Sequence, residues 1–140
     1  HKQGFLENLK NVKNLNKKYK LIFLLVRPNI DCSTSKIYSK VTKFSKKNKF
    51  SYSKINTKRK FINQILNNKN DLQPIVEKKH SIIKRLLNDI NKEKGCYLSR
   101  LSGSGSVCYG VFNNESTAKK ALHKIKRKYP RFWFSIAKTV

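Results

Sequence analysis

The residues best suited to chemistry lie in Leu101-Ser102-Gly103-Ser104-Gly105-Ser106-Val107. Gly103 and Gly105 permit positive φ, and the serines leave the backbone open to close approach by a ligand. Successive N–H groups in such a turn can converge on an anion. Read alone, a Ser/Gly turn between strands serves more often as a plain connection. It is not a phosphate loop, since no G-x-x-x-x-G-K-[ST] occurs. It joins two strands, so it is not the strand-to-helix dinucleotide fingerprint either. Cys32, Cys96 and Cys108 are far apart and odd in number, with no C-x-x-C. His1, His80 and His123 are isolated. No metal site is expected, and the cysteines read as free thiols of a reducing cytoplasm.

The 140 residues suit one domain with one core. Apolar residues make up 38% and aromatics 11%, enough for a packed interior. The longest apolar run, Leu21 to Val26, is too short to span a bilayer, and His1 opens no secretory signal. A cytoplasmic protein without a membrane partner is expected. The sequence has no Met, which suggests a part of something longer. Net charge is +26, ordinarily a pointer to nucleic acid or an anionic surface. Yet Lys outnumbers Arg 27 to 6, and Asn (15) and Ile (12) are inflated with it. All three have AT-rich codons, whereas phosphate-binding surfaces favour the Arg fork. The charge therefore reads as codon bias rather than a specific nucleic-acid partner.

The elements that must position the turn follow from periodicity. Tyr19 to Arg27 reads as a strand, apolar on consecutive residues, so both faces should be buried. Ser33 or Thr34 can cap a short helix from Ser35 to Lys43. Residues 44–56 read as a charged loop, and Thr57 to Leu66 as a helix with Phe61, Ile62 and Ile65 as its stripe. One long helix is expected over Leu72 to Lys94, capped by Asp71, with Pro74 in its first turn and Gly95 as its stop. Cys96 to Leu101 and Val107 to Phe112 are strands on either side of the turn. A helix from Asn114 or Ser116 to Lys128 carries Ala118, Ala121, Leu122 and Ile125 inward. Phe132 to Thr139 is the closing strand. The order is that of an α+β, ferredoxin-like split β-α-β fold: a four-stranded antiparallel sheet, helices on one face, extra helices in the first crossover.

Read with its flanks, Ser99 to Phe112 resembles the third motif of the GHMP kinase superfamily, a small-residue loop of the C-terminal domain that faces the active site. Arg27-Pro28-Asn29-Ile30-Asp31-Cys32-Ser33-Thr34-Ser35-Lys36-Ile37-Tyr38 resembles the strand-Pro-loop-helix segment of one branch, the 4-diphosphocytidyl-2-C-methyl-D-erythritol kinases. Asn70-Asp71-Leu72-Gln73-Pro74 is similar to the N-D-L-E-P helix start of that branch, with Gln73 in place of Glu. Gly4-Phe5-Leu6-Glu7 falls where the branch has G-x-G-E, and Phe132 to Thr139 resembles its closing strand.

The resemblance implies residues 20–140 as the C-terminal domain and 1–19 as a segment left from a missing N-terminal ATP-binding domain. It implies that ATP and Mg are held mainly by that half and that this chain carries no catalytic residue. The family reaction moves the γ-phosphoryl of ATP to a hydroxyl of a cytidine-linked methylerythritol, in the non-mevalonate route to isoprenoid precursors. Tyr38 would stack on the cytosine, Ser33 and Thr34 would contact substrate, and Gly103, Ser104, Gly105 and Ser106 would wall the reacting groups. Two alternatives remain. One is another GHMP small-molecule kinase. The other is a basic ferredoxin-like RNA-binding module, although Gly105 to Phe112 matches the RNA-recognition pattern at only two of eight positions, Tyr109 and Phe112. Because both alternating sets of Leu21 to Val26 are apolar, part of the second sheet face is expected to be exposed for docking the missing half.

Overall fold

The strand β3 (Ile22–Arg27) takes an inner place in the sheet of the computed structural model because its alternate residues Ile22, Leu24 and Val26 are all large and apolar. The structure describes residues 4–6, 12–15, 17–45 and 55–139. β3 pairs antiparallel with β5 (Cys108–Phe112) on one side and β6 (Trp133–Lys138) on the other. β4 (Cys96–Leu101) pairs antiparallel outside β5, giving the order β4-β5-β3-β6. The first crossover holds α1 (Thr34–Tyr38), α2 (Lys58–Asn67), α3 (Gln73–Lys79) and α4 (Ser81–Asn91), and the second holds α5 (Glu115–Lys128). This is the expected split β-α-β order. A separate antiparallel pair, β1 (Gly4–Leu6) with β2 (Val12–Asn14), was not expected within the polar lead-in.

One sheet face meets α4 and α5. Ile83, Leu86, Leu87 and Ile90 of α4, with Ala118, Ala121 and Ile125 of α5, close over Ile22, Leu24, Val26, Cys108 and Phe112. Each such fully buried aliphatic side chain stabilises the fold by about 1.5–3 kcal/mol. Helix and sheet come unusually close at Gly110, where an added Cβ would lie 2.5 Å from Ile90 Cγ2 and 2.9 Å from Phe112 Cε2. Caps fix the helix starts: the Thr57 side chain accepts from Lys60 N, and that of Asn114 from Thr117 N.

Two expectations need correction. The long helix is two, broken at His80 (φ −129°, ψ 85°). Val76 and Ile83 stay in one core cluster across the break, so the apolar spacing hides it. The helices also do not all lie on one face. Phe61 and Ile62 of α2 pack with Tyr19, Leu21, Ile55, Leu98 and Val111 on the opposite side. Arg100 Nη1 donates to Ile65 O at 3.1 Å, tying the C-terminal part of α2 to β4. The second face is covered only in part, in line with the expected exposure of some of it. Phe23, Leu25 and Ala137 are half-buried, and Trp133, in register beside Arg27, is 51% exposed. Much of the loop expected over 44–56 lies outside the described residues.

Candidate functional site

The Gly-rich turn connects β4 to β5 and closes on itself. Ser102 N donates to Val107 O at 2.8 Å, and Gly105 N to Ser102 O at 2.9 Å. Gly103 (φ +54°) and Gly105 (φ +95°) both adopt the left-handed region, which explains glycine at each. A Cβ on Gly105 would also press on Cys32 Sγ at 3.2 Å, so the turn sits against the Pro28–Cys32 loop. These bonds already engage two of the amides that sequence analysis offered to an anion.

Two cavities flank the turn. One, of about 620 Å³, is lined by the Arg27–Cys32 loop together with Gly105, Ser106 and Val107. The other, of about 450 Å³, brings Tyr38 to Gly103, with Phe44, Asn70, Asp71, Arg100 and Tyr109 around it. Between them Thr34 Oγ1 and Ser104 Oγ share a hydrogen bond at 2.9 Å. The structure thus gathers Thr34, Tyr38 and all four turn residues at one end of the sheet. Tyr38 is exposed. Ser33 occupies the N-cap position of α1, but its side chain makes no cap bond and instead pairs with Ser35 Oγ at 3.2 Å. Neither hydroxyl therefore serves as the expected side-chain cap. α1 also stops at Tyr38, well short of Lys43.

Asp71 is not a helix cap either. Leu72 holds that position, and the Asp71 carboxylate accepts from both N and Oγ of Ser45. The Ser45 hydroxyl, then its amide, holds the Asp71 carboxyl below the usual range. That tether holds the neighbouring Phe44, part of the expected charged loop, in the lining of the Tyr38 cavity. Sequence reasoning also missed Asn70 and Gln73. Asn70 Nδ2 donates to Leu101 O at 2.9 Å and Gly103 O at 2.8 Å. Gln73 Oε1 accepts from Leu101 N at 3.0 Å, while its Nε2 donates to Glu77 Oε1 at 2.8 Å. The signal was present in Asn70-Asp71-Leu72-Gln73-Pro74, where both residues sit beside a helix start.

The thiols are not poised as nucleophiles. Burial raises Cys108 to about 12 and Cys96 to about 11, and it raises Cys32 despite Lys79 nearby. Among the described residues no group of three His, Cys, Asp or Glu could hold a metal ion, and no helix is long and apolar enough to cross a membrane.

Residues 54–131 match the family model described as GHMP kinases C terminal. The chain belongs to this family. A 4-diphosphocytidyl-2-C-methyl-D-erythritol kinase of Pelagibacter ubique is 34% identical over 131 residues, covering 93% of this GHMP kinase domain and 45% of the relative. The protein of the same name from Wolbachia pipientis wMel is 36% identical over 102 residues, 72% of this chain and 34% of the relative. The chain thus spans less than half the length of these relatives. A crystal structure of 4-(cytidine 5'-diphospho)-2C-methyl-D-erythritol kinase superposes with a TM-score of 0.67 over 91% of this chain and 46% of that one. At 18% identity the superposition shows the shared fold.

Proposed function

We propose that this chain is the C-terminal, substrate-positioning part of a kinase that transfers the γ-phosphoryl of ATP to a hydroxyl of a cytidine-linked methylerythritol. The observation that carries the reading is the rim itself: Tyr38 faces the Gly-rich turn across one cavity, and Thr34 bonds Ser104 beside it. The names of the two bacterial relatives support the same substrate.

In this reading the exposed Tyr38 ring stacks on the cytosine, while Thr34 and Ser33 offer hydroxyls to the substrate. Gly103, Ser104, Gly105 and Ser106 form a wall thin enough for the reacting groups to approach the backbone. Phosphoryl transfer depends chiefly on positioning and charge stabilisation, and this half supplies the positioning. ATP, Mg and the catalytic groups belong to an N-terminal half, with residues 1–19 leading out of it and 20–140 forming the C-terminal domain. This half offers the Tyr38 ring, small hydroxyls and glycines at the cavities, with one carboxylate in each, Asp31 and Asp71. Magnesium bound in the other half would neutralise charge on the transferring phosphoryl. The enzyme would be cytoplasmic, in the non-mevalonate route to isoprenoid precursors, without a specific nucleic-acid or membrane partner. α2 supports that view, because it occupies part of the sheet face on which RNA-recognition domains stack bases.

The test is substrate-dependent ADP formation by the full polypeptide that carries this chain. The cytidine-linked methylerythritol should be turned over, and mevalonate and homoserine should not. The isolated 140 residues should be inactive. Turnover of mevalonate or homoserine in preference, or an isolated chain within tenfold of the full polypeptide, would contradict the reading.

A further inference from the structure

The Gly-rich turn has little packing of its own to hold its tip. A Cβ built on Gly103 meets nothing within 4 Å, and the Thr34–Ser104 bond is solvent-exposed. Beyond the turn's own Ser102–Val107 and Gly105–Ser102 bonds, the carboxamide of Asn70 fixes it. Both of its donor contacts end on carbonyl oxygens, of Leu101 and Gly103, which bracket Ser102. Its own oxygen accepts from Leu72 N at 3.0 Å. Two carbonyl partners on one side and an N–H on the other allow only one orientation of this amide. Donor and acceptor are therefore both committed, and the group is locked between the start of α3 and the turn.

Pinning a carbonyl also aims the next N–H. In a trans peptide the C=O of one residue and the N–H of the next point in opposite directions. Leu101 O is pinned to Asn70, and Ser102 N accordingly points away, to Val107 O. By the same geometry the bond to Gly103 O turns the Ser104 N–H away from Asn70. We propose that Asn70 is a positioning residue for phosphoryl transfer, which orients the Gly103–Ser104 peptide so that the Ser104 N–H faces the anionic groups of the substrate. This inference rests on the kinase reading above. Oriented donors of this kind matter most in the transition state, so the effect belongs on turnover more than on affinity.

The test compares Asn70→Ala and Asn70→Asp in the full polypeptide, by steady-state kinetics from pH 5 to 9 with thermal denaturation alongside. Asn70→Ala should lower kcat about 10- to 100-fold, the scale of a small misplacement near the chemistry. KM for ATP and for the cytidine-linked substrate should stay within about threefold, since the oriented Ser104 donor counts chiefly in the transition state. The aspartate adds a readout that a purely structural role would not move. Ionised, it sets a carboxylate against two carbonyl oxygens and should be no better than alanine. Protonated, it regains one donor, so its kcat relative to wild type should rise as pH falls, while the alanine ratio stays flat. Asn70→Ala within about twofold of an active wild type would overturn the inference alone. So would flat ratios for both variants, or a loss of activity that tracks the unfolded fraction. A wild type inactive on the cytidine-linked substrate would overturn the kinase reading and this inference with it.

Discussion

The core beneath α4 and α5 and the rim at the turn end of the same sheet are held by different forces. The core is a closed apolar cluster in which Leu24, Val26, Ile83, Leu86, Ile90 and Phe112 have essentially no exposure. It contains no buried polar side chain among the described residues. Its stability scales with area removed from water and with close packing. The rim is exposed or half-buried, and side-chain bonds to backbone hold it: Asn70 to Leu101 and Gly103, Gln73 to Leu101, Ser45 to Asp71. Each such bond contributes only about 0.5–1.5 kcal/mol. The division suits the proposed role, because a rigid core can carry a rim whose residues are chosen for what they present.

The sharpest way to break the comparison is one substitution made in both regions. Gly110→Ala drives a Cβ into Ile90 and Phe112 and should cost about 1–3 kcal/mol in denaturant unfolding. Gly103→Ala meets open space, and its cost should be the left-handed conformation alone, about 1 kcal/mol. A larger loss at Gly103 than at Gly110 would contradict the division.

Gln73→Glu probes the rim bonds. It would set a carboxylate against Glu77 at the place of a 2.8 Å hydrogen bond. Like charges at that range disfavour ionisation and raise the folded pKa. The variant should therefore lose about 1 kcal/mol at pH 7 and recover as pH falls toward the ordinary Glu value, because the raised group is protonated there. A pH-independent difference from wild type would show that the carboxylates do not meet.

The smallest effect is expected at the core's edge. Burial pushes the Asp89 carboxyl up, but hydrogen bonds from Lys128 and Tyr129 outweigh it, and the net shift is downward. A depressed carboxyl stabilises the fold above its unfolded pKa, and that contribution fades as pH falls through the lower folded value. Asp89→Asn should cost under about 1 kcal/mol at pH 7 and reduce the loss of melting temperature between pH 5 and 2. An unchanged acid profile would remove Asp89 from the account.

The same division explains what was legible in the sequence. The strands around the Gly-rich turn, α5 and the sheet order followed from period and from turn residues, since the core selects apolar side chains at fixed spacing. Three features of the first crossover did not. Val76 and Ile83 keep the helical spacing through His80, so the break between α3 and α4 has no apolar signature. Phe61 and Ile62 announce a buried stripe on α2, but a stripe does not say which sheet face it will cover. Asn70 and Asp71 read as ordinary residues before a helix, because their partners lie 26 to 33 positions away in sequence. Only tertiary placement brings those partners together.

The central claim is that the rim presents Tyr38 to the substrate base, and one binding measurement tests it. Titrate the cytidine-linked methylerythritol and ATP, separately, into the full polypeptide and its Tyr38→Ala and Tyr38→Phe variants. Loss of the ring should weaken substrate binding by about 1–3 kcal/mol, the usual worth of stacking a base on an aromatic side chain. ATP affinity should hold, and Tyr38→Phe should match wild type, because stacking requires the ring and not the hydroxyl. Normal substrate affinity in Tyr38→Ala would contradict the account.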